Sequence, residues 1–265
     1  MSGHADVLGS GAIAIVVLMV GVWLLSIVKR DVSIVDIAWG LGFVVVAWMT
    51  WAVGDGLADR RNLLVAMVTI WGLRLAGHLY LRNRGEPEDY RYQLIRAKRG
   101  PNFTLTSLFW VFGLQGVLMF VVSLPVQLAM TPNDPAVGII GILGIVVWGV
   151  GFFFETVGDA QLTRFRADPA NAGQVLDWGL WRYTRHPNYF GDCLVWWGLW
   201  IFAAETGDAA LGLIGPVLMT LLLLRWSGVA MLERGLHMRK PAYAAYVERT
   251  SAFIPRPPKP ERVPS

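Results

Sequence analysis

The sequence predicts an all-α polytopic membrane protein with seven transmembrane helices, its N-terminus outside and its C-terminus cytoplasmic. Three observations carry this. Of the 265 residues, 55% are hydrophobic and only 16% are charged, against about 25% charged in a soluble domain. Several uncharged runs approach the roughly 20 residues that cross a bilayer. The basic residues also segregate in the way membrane topology demands.

Taken in order, Val7 to Val28 carries no charge and is closed by Lys29-Arg30-Asp31. Without a basic leader or a small-residue cleavage site, this run reads as a retained span rather than a signal peptide. The second span runs from Ser33 to Gly54 with Asp36 near its start, and the third from Leu63 to Leu81, interrupted by Arg74 and His78. The fourth lies within the uncharged stretch Pro101 to Asn133, closed by the turn signal Asn133-Asp134-Pro135. The fifth begins near Ala136, reaches Phe154 and continues as helix past Asp159. The sixth covers about Asn188 to Ala204, and the seventh Ala209 to about Leu232, with Arg225 inside it.

With the N-terminus outside, 19 basic residues fall on the cytoplasmic side and only Arg60 and Arg61 on the other; Arg74 and Arg225 make up the total of 23. An even helix count would reverse the C-terminal charges. The formal net charge of +4 then reflects basic cytoplasmic loops rather than nucleic-acid binding. Residues 1–132 form an N-terminal four-helix part on the lipid-substrate side. Residues 133–256 form a C-terminal three-helix part with cytoplasmic loops, and the Pro-rich, charged stretch 257–265 reads as a disordered tail. Gly138-Ile-Ile-Gly-Ile-Leu-Gly144 reads as small-residue helix packing. Cys193 is the one cysteine, so no internal disulfide and no Cys/His metal spacing exist.

Ionisable groups inside or beside spans are costly unless paired or wet, which makes them functional candidates. Glu155, Asp159 and Arg166 stand at i, i+4 and i+11, on one face of a continuing helix. The carboxylates suit a ligand's hydroxyls or amide and the arginine suits a phosphate. A helix-end salt-bridge cluster that includes Arg164 is the alternative. In Arg185-His186-Pro187-Asn188-Tyr189, proline suits the first turn of a helix. The start of that helix offers an anion site, reinforced by Arg185 and His186. Arg185, Asn188, Tyr189, Asp192 and Trp196 share one helical face. An interfacial aromatic belt is the competing explanation, and it accounts better for Trp181 and Tyr183. Asp36, an acid among apolar neighbours, is either a neutral hydrogen-bond donor to a substrate carbonyl or the partner of Arg74 or Arg225. His78 is either a satisfied buried histidine or a proton donor.

The run G-L-W-R-Y-T-R-H-P-N-Y-F-G-D, a last-span arginine and K-P-A-Y-A-A-Y-V-E-R-T-S-A-F-I-P together resemble the C-terminal domain of steroid 5α-reductases (3-oxo-5α-steroid 4-dehydrogenases). The bacterial branch, long described as a domain of unknown function, is the most similar. S-I-V-D-I-A-W-G and R-N-R-G-E-P-E-D-Y-R-Y also resemble that branch. The likeness is strong over roughly residues 155–256 and moderate over 33–92.

The resemblance implies a seven-helix, NADPH-dependent reductase of the carbon–carbon double bond of a 3-oxo-Δ4 steroid or similar lipid enone. It implies a bacterial inner membrane with the cofactor site facing the cytoplasm. Glu155, Asp159 and Arg166 match an Asn-x3-Asp-x6-Arg nucleotide contact of the animal enzymes, with Glu155 replacing the asparagine. Tyr183, Asn188, Asp192, Trp196, Arg225 and Glu233 match further cofactor contacts. Arg185, His186, Tyr189, Arg91 and Tyr92 are assigned to the same cofactor set. Asp36 replaces the family's second-helix glutamate. No tyrosine aligns with that glutamate's partner: Trp71 or Gly72 stands nearby and Tyr80 lies a turn or two away, so Tyr80 and His78 complete the catalytic candidates. Trp39 and Arg74 are assigned to the substrate.

The R-H-P-x-Y-x-G pattern with a later glutamate is also similar to isoprenylcysteine carboxyl methyltransferases, which use S-adenosylmethionine. Arg166 and Arg225 favour the dinucleotide, because S-adenosylmethionine carries no phosphate. The expected partners are the bilayer and a hydrophobic small molecule, with no nucleic acid; the sequence leaves the oligomeric state open and is compatible with a monomer.

Overall fold

In the computed structural model, the described residues are 3–131, 136–207, 209–226, 229, 233 and 243–260. They are all-helical, with no strand among them and one isolated bridge, Thr184 to Ser251. Five helical stretches are long and apolar enough to cross a membrane: His4–Lys29, Ile34–Val53, Ala58–Asn83, Tyr90–Val122 and Ile139–Ala167. The chain divides into two compact units, Met1–Gly141 with Phe202–Gly215, and Ile142–Ile201 with Pro216–Ser265.

In the first unit, α1 (His4–Lys29) and α3 (Ala58–Asn83) both pack on α2 (Ile34–Val53). Gly40 and Gly72 let the backbones of α2 and α3 touch, since a Cβ on either would strike the other's carbonyl. Phe43, Val46, Leu64, Val68 and Trp71 fill the contact. The opposite face of α1, with Ile13, Val16, Val17, Leu24 and Val28, is exposed. That apolar stripe suits lipid and not water.

Asp89 caps α4 (Tyr90–Arg99) by accepting from Arg91 N–H at 2.9 Å, and Gly100, at φ 66°, ends it. A 3-10 turn at 100–102 leads into α5 (Phe103–Ser107), a π-helical turn at Leu108–Gly113 and α6 (Leu114–Val122), within the apolar stretch expected to hold the fourth span. Ser123 ends it and α7 (Leu124–Leu128) follows. The turn expected at Asn133-Asp134-Pro135 lies outside the described residues.

The two basic residues that the charge count leaves on the minority side are structural. Arg60 is fully buried and donates to the Phe202 carbonyl at 2.6 Å, to the Ala136 carbonyl at 3.2 Å and to Glu205. Glu205 also accepts from Gly138 N–H at 3.0 Å. Arg61 donates to the carbonyls of Trp51 and Gly54. Of the glycines read as helix packing, Gly138 and Gly141 abut the Glu205 side chain, while the Gly144 carbonyl would lie 2.8 Å from a Cβ added to Gly198.

The second unit holds the rest of α8 (Ile139–Ala167) and α9 (Pro187–Ala203). α8 does continue past Asp159, as a single helix of 29 residues. A glycine seam joins the pair. Gly151 on α8 and Gly191 and Gly198 on α9 have no room for a Cβ, one on Gly151 lying 2.6 Å from Val195 N, and Gly158 on α8 is tight, with Asn188 N at 3.1 Å. This spacing of seven keeps the glycines on one stripe of each helix.

The region expected as a seventh span is segmented into α10 (Ala209–Gly212), α11 (Ile214–Leu221) and a π-helical turn at Leu222–Trp226. Most of its remainder lies outside the described residues. After α12 (Tyr243–Arg249) the chain runs without regular structure to residue 260, where Lys259 N–H donates to the Arg249 carbonyl at 2.9 Å. Residues 261–265 of the expected tail lie outside the described residues.

Candidate functional site

Two polar clusters stand among the apolar helices, one in each unit. In the first unit, Asp36 lies in the first turn of α2 and accepts from Tyr92 Oη at 2.6 Å and from Arg91 Nη2 at 2.7 Å. Arg91 also donates through Nε to Asp89 at 2.9 Å. Gln115 Nε2 donates to Tyr92 Oη at 3.1 Å, and Gln115 Oε1 accepts from Trp39 Nε1. A chain of hydrogen bonds therefore runs Trp39, Gln115, Tyr92, Asp36, Arg91, Asp89. Burial pushes the Asp89 carboxyl up, but its bonds from Arg91 and the Arg91 charge outweigh that and hold it below the usual range.

Of the partners read for Asp36, neither Arg74 nor Arg225 bonds to it; Arg91 does. Asp36 is the acceptor in both of its contacts. The tyrosine beside it is Tyr92. Tyr80 is exposed on α3, and no hydrogen bond joins it to Asp36 among the described residues. Arg74 and His78 are half-buried on α3, one turn apart. Gln115 and Asp89 went unread in the sequence. Gln115 left a signal: it and Gln127 are the two glutamines of the uncharged stretch between Pro101 and Asn133.

In the second unit, Glu155 and Asp159 are both buried on the face of α8 that meets α9. Asn188 Nδ2 donates to Asp159 at 2.9 Å, and Asn188 Oδ1 accepts from Tyr189 N–H at 3.1 Å. Thus α9 starts at Pro187, as proline geometry favours, but a protein carboxylate already faces that start. Tyr189 and Asp192 are half-buried and Trp196 is fully buried. Arg166 and Arg225 are exposed, and so is the side chain of Tyr183.

Arg185 and His186 are tied up inside the protein. Arg185 donates through Nε to Glu233 at 2.8 Å and through Nη1 to the carbonyls of Val247, 3.1 Å, and Thr250, 2.6 Å. His186 Nε2 lies 3.1 Å from the same Glu233 oxygen, and its ring stacks on Tyr189 at 5.7 Å between centroids. Burial would raise the Glu233 carboxyl, but hydrogen bonds from His186 and Arg185 and the Arg185 charge hold it at about 2. The C-terminal segment straps this corner: Thr184 Oγ1 donates to the Phe253 carbonyl at 2.7 Å, Arg185 N–H to the Ser251 carbonyl at 2.9 Å and Arg256 N–H to the Tyr183 carbonyl at 3.0 Å. Arg185, His186 and Glu233 thus bond to one another and to the C-terminal segment. The sequence hides this because the partners stand 47 to 65 residues away.

These features define a helical membrane protein with a carboxylate–phenol–amide cluster in one unit and a carboxylate–amide cluster beside a strapped helix start in the other. The chain belongs to the DUF1295 family of proteins of unknown function, whose model matches residues 22–250. An uncharacterized protein of the fission yeast Schizosaccharomyces pombe is 25% identical over 270 residues, covering 88% of this chain and 75% of that protein. No solved structure matches.

Proposed function

We propose that this protein is an NADPH-dependent membrane reductase of the carbon–carbon double bond of a 3-oxo-Δ4 steroid or a similar lipid enone. In this reading it crosses the membrane seven times, N-terminus outside, in a bacterial inner membrane, with nucleotide entering from the cytoplasm. The observation that carries it is the Asp36–Tyr92 contact at 2.6 Å. It supplies the acid-plus-tyrosine pair that carbonyl activation needs, and the sequence alone lacks an aligned tyrosine for it.

The residues of the second unit suit the polar parts of the nucleotide. Glu155 and Asp159 are buried acceptors for ribose hydroxyls or a carboxamide, and the Asn188 amide adds a donor and an acceptor. With Arg185 committed internally, the phosphates fall to Arg166 and Arg225, both of which reach the surface. When bound, NADPH supplies the hydride taken up by the β-carbon of the enone.

The residues of the first unit act on the other end of the conjugated system. Asp36 in its protonated form offers its O–H to the carbonyl oxygen, and Tyr92, whose own O–H goes to Asp36 and whose oxygen accepts from Gln115, orients that carboxyl. Negative charge that develops on that oxygen is stabilised in a site of low dielectric. Arg91 keeps the carboxyl in place and Trp39 fixes the Gln115 amide. Water then returns the proton that the α-carbon needs.

Asp36→Asn and Tyr92→Phe test this. Each is expected to lower kcat by about 100-fold, the scale of losing one oxyanion donor, with NADPH affinity unchanged. Equal losses of NADPH affinity would count against the role. A second reading, an S-adenosylmethionine-dependent methyltransferase of the isoprenylcysteine carboxyl methyltransferase type, draws support from the internal engagement of Arg185 and His186. That engagement leaves fewer cations for phosphate.

A further inference from the structure

We infer that the seam between α1 and the fourth span is a binding site for an anionic phospholipid, one acyl chain along the seam and the phosphate at its polar end. This rests on features of the first unit alone and is independent of the proposed reduction. Along the seam lies an apolar groove of about 500 Å³, lined by Ile15, Met19 and Val20 from α1 and by Phe112, Gly116 and Phe120 from the facing span. Two features shape it. Gly116 lets Ile15 and Met19 pack against its backbone, at 3.2 and 3.4 Å from an added Cβ, and so forms the groove floor. The π-helical turn at Leu108–Gly113 widens the helix where the groove passes, and such turns cost helix regularity and gather at functional places.

The same two helices carry a second cavity of about 490 Å³ where the seam reaches the end of α1. Arg30, Arg96, Phe103 and Thr104 are among its lining residues. Trp23, between the two cavities in sequence, donates from Nε1 to the Thr104 carbonyl at 3.0 Å. Arg96 forms two bonds with Glu88, Nε to Oε2 at 3.0 Å and Nη2 to Oε1 at 2.7 Å, and lies 4.6 Å from the Phe103 ring centroid. Arg30 is exposed, is held in a left-handed backbone conformation at φ 54° and makes no hydrogen bond or ion pair through its side chain among the described residues. Arg99 lies over Trp110 at 4.8 Å. Arginine and tryptophan together mark a membrane interface.

The pairing of the cavities selects the occupant. From Ala12 to Ser26 the seam extends about 21 Å at 1.5 Å per residue, more than the roughly 15 Å depth of one hydrocarbon leaflet. An acyl chain therefore fits beside a phosphate held by Arg30 and Arg96 with the Thr104 hydroxyl. A soluble anion would leave the groove unfilled, and a zwitterionic headgroup would bring a second cation toward two arginines.

The test uses the full chain, purified in detergent, stripped of lipid and offered phosphatidylglycerol or phosphatidylcholine, with retained lipid measured by mass spectrometry. The wild type is expected to retain phosphatidylglycerol preferentially. Arg30→Gln is expected to cut that preference by about fivefold, the scale of one basic residue at a membrane surface, while Arg30→Lys keeps most of it. Val117→Trp, which fills the groove from an exposed position, is expected to reduce retention of both lipids. Equal retention of the two lipids, an unchanged preference in Arg30→Gln, full retention in Val117→Trp or displacement of phosphatidylglycerol by equimolar inorganic phosphate would each overturn the inference.

Discussion

Arg60 is surrounded by protein on all sides, and its charge is matched by Glu205 and by two carbonyls. Removing one partner of such a pair strands the other without water. Arg60→Ala is therefore expected to destabilise the protein by about 3–5 kcal/mol, read as a drop in unfolding temperature in detergent. Glu233 is a different case. Its carboxyl is held at about 2, below the ordinary 4.5, so its pairing with Arg185 and His186 adds stability that is complete above about pH 4.5. That contribution fades as the pH falls toward 2. Between pH 5 and 3 the wild type is expected to lose thermal stability more steeply than Glu233→Gln; parallel curves would show that Glu233 does not carry the strap.

At the scale of elements, the α8–α9 seam depends on what its glycines lack. A Cβ on Gly191 would collide with the Glu155 backbone, and α8 cannot retreat without moving Asp159 away from Asn188. Gly191→Ala is expected to cost about 1–3 kcal/mol through overpacking and, on the proposed reading, to weaken NADPH binding along with it. Loss of stability alone, with binding intact, would detach the seam from the site. The elements that were legible in the sequence are those with long, mostly apolar runs: α1, α2, α3, α8 and α9 lie within a few residues of their expected bounds. The basic helix α4 was not foreseen because its arginines read as loop charge, although Asp89 caps it. The glycine run shows where backbones can approach, not what approaches them: Gly144 faces Gly198, whereas Gly138 and Gly141 face Glu205.

For the whole molecule, hydropathy shows that the chain belongs in a bilayer, and the five apolar helical stretches agree with it. The site was only half legible. Asp36, Glu155, Asp159 and Asn188 stood out as polar groups beside grease, and each takes part in a polar cluster. Gln115 did not, and Tyr92 was read only for the cofactor, because their bonds depend on helices 56 and 23 residues apart meeting. For Arg185 the charge was visible, and the carbonyls that accept from it were not.

The reductase account makes one direct demand of the intact, solubilised protein. Incubated with NADPH and a Δ4-3-ketosteroid, it must consume the nucleotide and form the saturated ketone in equal amounts, and Asp36→Asn must suppress both. Stable NADPH under these conditions, together with methyl transfer from labelled S-adenosylmethionine to an apolar acceptor, would contradict it.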